Sequence, residues 1–94
     1  MVGRREKPID PRAPYADLAY GLRGLKRASG KSLRQISRDA HFSPAVLCEA
    51  ASGWFLPSLE VTLGFVEACG GDTAKWTAHW TAEERKGQIR RRKR

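Results

Sequence analysis

The sequence predicts an all-α fold of five short helices. Apolar residues recur at intervals of three and four, capping residues punctuate the chain where those runs begin, and no stretch reads as a strand.

Residues 1 to 14, MVGRREKPIDPRAP, hold three prolines and few apolar groups, which predicts a flexible arm. The first helix follows, with Tyr15, Leu18, Ala19, Leu22 and Leu25 on one face, and it ends near Ser29 and Gly30. Gly21 and Gly24 are interior weaknesses or points of close packing.

Ser32 followed three residues later by Gln35 is a capping box, so a second helix begins there. Its buried stripe is Leu33, Ile36 and Ala40, with Arg34, Arg38 and Asp39 toward water. His41 and Phe42 leave room only for a turn before Ser43 and Pro44, a capping hydroxyl followed by a proline at the first helical position. In this third helix Leu47, Ala50 and Ala51 face inward, while Pro44, Ala45, Cys48, Glu49 and Ser52 form the outer face. Gly53 is expected to end it.

Trp54-Phe55-Leu56-Pro57 is an apolar connection, and Ser58 caps a fourth helix. Leu59, Leu63, Val66 and Cys69 mark one of its faces and Val61, Phe65 and Ala68 another, which implies a central position. Gly70-Gly71 ends it and Asp72 caps a fifth helix, where Trp76 and Trp80 form an aromatic ridge expected in the core. Thr81 with Glu84 resembles a second capping box, at which the helix would bend or restart.

Ninety-four residues suit one domain, organised as an arm (1–14), a folded part (15–84) and a basic disordered tail (85–94). Neither a membrane span nor a secretory signal is evident, so the chain is expected in the cytoplasm with its two cysteines as free thiols. His41, Cys48, Cys69 and His79 are separated by 7, 21 and 10 residues, which matches no compact zinc framework. Gly70-Gly71 precedes Asp72 without a following Lys-Ser or Lys-Thr, so it makes no phosphate-cradling loop. We therefore expect no metal, no cofactor and no catalysis.

The formal net charge of +8 sits at the ends. Residues 1 to 12 carry four bases and two acids, and residues 85 to 94 carry seven bases and no acid. Between them, seven bases face eight acids, with the bases concentrated before His41 and the acids after it. That polarity either serves to neutralise a phosphate backbone or makes an ordinary solvated helix face. The tail leaves a similar choice: a polyanion-binding arm, a solubilising run, or the start of a linker.

Two helices joined by a tight turn over Ser32 to Gly53 form a helix-turn-helix pattern. The stretch from Leu47 to Asp72 carries the order L-x-x-A-x-x-G-x-x-L-P-S-L-x-V-T-L-x-F-V-x-A-C-G-G-D. With it, residues 18 to 80 resemble the phage-repressor-like, or xenobiotic-response-element, helix-turn-helix family, in its bacterial branch. The resemblance implies a compact five-helix, lambda-repressor-like domain, associated with the nucleoid, that binds double-stranded DNA as a homodimer and regulates transcription. By position, Ser43, Pro44, Ala45, Cys48 and Glu49 would face bases. Lys31, Ser32, Arg34 and Arg38 would meet phosphates.

The chain departs from that pattern in two ways. His41 stands where the family has a turn glycine, so the turn is expected to rearrange. The outer face of the third helix also lacks the Arg, Lys, Gln and Asn side chains that pair bidentately with guanine and adenine. Direct readout is left to Glu49 accepting from cytosine N4 and to Ala45 or Val46 against a thymine methyl, with Ser43 on a phosphate. Alternatively, Glu49 only repels phosphate. The same polar-poor face, with Trp54 and Phe55, supports a second function: a protein-interaction module on the same fold.

Overall fold

Serine hydroxyls set three helix starts. Ser32, Ser43 and Ser58 each have extended backbone and accept a hydrogen bond from the N–H three residues on, at Gln35, Val46 and Val61, over 3.1 to 3.2 Å. Gln35 completes the box by accepting from the Ser32 N–H at 2.8 Å. In the computed structural model, which describes residues 8–92, the helices are α1 (Ala16–Ser29), α2 (Leu33–Ala40), α3 (Pro44–Ala50), α4 (Leu59–Ala68) and α5 (Thr73–Arg92). The fold is all-α, without a strand among the described residues. Asp72 opens α5 by accepting from the Ala74 and Lys75 N–H groups at 3.0 and 3.2 Å.

The inward positions of these helices meet in one core. Leu18 and Leu22 of α1, Ile36 of α2, Leu47 of α3 and Phe65 and Val66 of α4 are fully buried, and the Trp76 indole closes the cluster. Because Phe65 and Val66 project to different sides, α4 is the central helix and packs against the other four. Thr62 is also fully buried, with its hydroxyl satisfied by donation to the Ser58 carbonyl at 2.9 Å. Where α1 crosses α5, a Cβ on Gly21 would lie 2.6 Å from the Trp76 ring. Gly21 is thus a close-packing position, and its helix weakness is offset by the approach it permits.

Three expectations are corrected. The arm is fixed from residue 8 onward: Ile9 and Ala13 are buried with Ala16 and Ala19, and the Ile9 carbonyl accepts from the Tyr20 hydroxyl at 3.3 Å. Two apolar side chains suffice here because the flanking prolines have little backbone freedom to lose. Residues 1–7 lie outside the described residues.

Second, Thr81 does not restart a helix. Its hydroxyl donates to the Thr77 carbonyl at 2.8 Å and α5 runs on unbroken. Third, the stretch expected as a disordered tail is helical as far as Arg92, with residues 93–94 outside the description. The cause is a stripe at spacings of four and three: Trp76, Trp80, Glu83, Gly87 and Arg90. Trp76, Glu83 and Gly87 are buried, and the Trp80 indole N–H donates to the Pro57 carbonyl at 2.8 Å. Lys86 pairs with Glu83 at 3.3 Å, and the Arg90 guanidinium lies 5.3 Å from the Tyr15 ring centroid. None of the described helices is long and apolar enough to cross a membrane.

Candidate nucleic-acid interface

A three-residue turn, His41 to Ser43, separates α2 from α3. His41 itself takes the left-handed conformation (φ 62°, ψ 32°), and its N–H donates to the Ser37 carbonyl at 2.9 Å. The turn is therefore not rearranged, contrary to expectation. The imidazole accepts a backbone state that glycine would adopt without strain. The Ser37 hydroxyl donates to the Phe42 carbonyl, and the Phe42 ring packs on the core.

Held this way, α3 buries Leu47 and Ala50 and leaves Pro44, Ala45, Cys48 and Glu49 exposed, with Ser43 at its head. All five residues assigned to base contact thus share the outside of one short helix. The Ser43 oxygen is occupied by the Val46 N–H, while its own proton is available to an external acceptor. Val46 is 39% exposed and adds a methyl pair beside Glu49.

The four residues assigned to phosphate contact divide. Arg34 and Arg38 lie exposed at a spacing of four on α2. Lys31 instead donates to the Asp39 carboxylate at 3.0 Å and to the Ala68 carbonyl at 2.6 Å, tying the start of α2 to the end of α4. Ser32 is committed to its capping box.

Sequence reasoning missed Arg23. Its Nε donates to the Ala51 carbonyl at 2.9 Å, which supplies a cation at the carboxyl end of α3. A second clamp lies two residues on, where the Tyr15 N–H donates to the Gly53 carbonyl at 2.8 Å. Gly53 (φ 89°) does not itself end α3, which stops at Ala50. It lets the chain pass so close to α1 that a Cβ there would sit 3.3 Å from the Ala16 Cα. No local sequence signal marks the Arg23 contact, since its partner is 28 residues away.

Beyond α3, Trp54 and Phe55 are 51% and 61% exposed. A groove of about 240 Å³ runs beside them between α3 and α4, lined by Val46, Glu49, Phe55, Leu56, Pro57 and Val61. Both cysteines are free: Cys48 is exposed on α3, and Cys69 is half-buried after α4, where burial pushes its thiol above the usual range. Among the described residues, no three His, Cys, Asp or Glu side chains are grouped so as to hold a metal ion.

No family model, curated protein or solved structure matches the chain.

Proposed function

We propose that the chain is a sequence-specific duplex-DNA-binding regulator that seats α3 in the major groove. The observation that carries this reading is the pairing of a short outward helix, capped at its start by Ser43 and clamped at its end by Arg23, with exposed Arg34 and Arg38 on the helix before it. Such a pair meets the two needs of groove docking: neutralised backbone and a rigid reading element.

With no bidentate side chain on the outer face of α3, one copy reads few bases. Useful discrimination then needs two copies on half-sites about 34 Å apart, hence a homodimer. Anisotropy titration with a duplex selected from a random pool and with its scrambled counterpart tests this. Preference for the selected duplex, weakened on both by Arg34→Gln with Arg38→Gln, is expected; equal affinity at moderate salt refutes specific reading.

The exposure of Trp54 and Phe55 favours a second reading, in which they dock a protein partner. Neutralising Arg34 and Arg38 would leave such an apolar contact nearly intact, which separates the two.

A further inference from the structure

The last two turns of α5 are the most concentrated charge on the described chain: from Arg85 to Arg92 there are five bases and no acid. They do not form a loose run. Gly87 is buried, Glu83 one turn earlier is only 4% exposed, and Arg90 rests on the Tyr15 ring. Tyr15 in turn is hydrogen-bonded to Gly53, immediately before Trp54. Two contacts therefore connect the basic turns to the segment by which the chain leaves α3. Acids on adjoining segments offset this charge only in part. Glu83 points inward and is paired with Lys86, half-buried Glu84 contributes one negative charge, and Asp10 is bonded by Arg12. Arg85 and Arg90 remain exposed.

Resting on the duplex-DNA reading, we propose that exposed Arg85 and Arg90, on the last turns of α5, form a second phosphate-binding surface, fixed relative to α3, that engages the backbone of the same duplex. Arginine suits this partner because its guanidinium matches phosphate geometry and stays charged at any working pH. A preformed helix also loses less conformational freedom on docking than a disordered arm. The surface carries no base information, so it strengthens binding to all sequences alike.

The test is the salt dependence of full-chain binding to selected and scrambled duplexes. Each phosphate contact adds about 0.9 to the slope of log affinity against log salt, so Arg85→Gln with Arg90→Gln lowers the slope by about 2 on both duplexes. Between about 50 and about 200 mM salt, this reduces the affinity loss about tenfold. Arg85→Lys with Arg90→Lys keeps the charge and the slope; a slope lost in the lysine pair as well overturns the proposal, because the effect is then structural. An unchanged slope in the glutamine pair, while Arg34→Gln with Arg38→Gln still lowers it, overturns the α5 surface and leaves α3 docking in place. If neither glutamine pair changes the slope, both readings fall.

Discussion

Arg23 and Ala51 are joined by a 2.9 Å hydrogen bond that fastens α1 to the carboxyl end of α3. A charged donor to a terminal helix carbonyl contributes about 1.5 to 3 kcal/mol when its partner would otherwise be left unsatisfied. Arg23→Ala is accordingly expected to destabilise the domain by about 1 to 2 kcal/mol in urea unfolding, part of the loss being recovered by water at the half-exposed site. On the proposed function it also weakens duplex binding more than its loss of charge explains, because α3 loses its anchor. Unchanged unfolding would show that the clamp contributes nothing.

Gly21 and Gly24 stand one turn apart in α1 and give opposite outcomes for the same substitution. Alanine at Gly24 meets nothing within 4 Å, so helix propensity alone acts and stability rises by about 0.5 to 1 kcal/mol. At Gly21 the new methyl would lie 2.6 Å from the Trp76 ring, and overpacking costs about 1 to 3 kcal/mol. Thermal melts followed by circular dichroism distinguish the two.

His41→Gly removes the left-handed penalty of about 1 to 2 kcal/mol but adds unfolded-state entropy of about 0.5 to 1 kcal/mol. The net expectation is a gain of about 0.5 kcal/mol in denaturant midpoint measurements, with the turn geometry retained. Loss of stability would mean that the imidazole makes a contribution beyond its backbone.

The two thiols differ in exposure. Burial raises the Cys69 pKa above the usual thiol range, so the folded chain holds that proton more tightly than the unfolded chain. Stability from this site is therefore present below the unfolded pKa and declines as pH rises through it toward the folded one. Alkylation by iodoacetamide at mildly alkaline pH should modify exposed Cys48 well before Cys69, read by peptide mass mapping. Equal rates would contradict the burial.

Helix starts were legible because serine capping is local: Ser32, Ser43 and Ser58 stand next to the runs they open. The central place of α4 and the burial of Trp76 were legible from periodicity. Less visible was the helical end of α5, since its inward stripe passes through Glu83 and Gly87, neither of which registers as hydrophobic. Surrounding arginines made the stretch resemble a solvated run. In the candidate site, the outward set on α3 followed from helical spacing, whereas the commitment of Lys31 to Asp39, 8 residues on, and to Ala68, 37 residues on, depended on tertiary approach.

Tyr15 has consequences out of proportion to its size. Its amide holds Gly53, its ring underlies Arg90, and the proline-flanked segment around Ile9 and Ala13 leads directly into it. Three otherwise separate stretches therefore share one hinge-pin, and a fluctuation that pulls it out would loosen the leading segment, the far end of the longest helix and the exit of α3 in a single event.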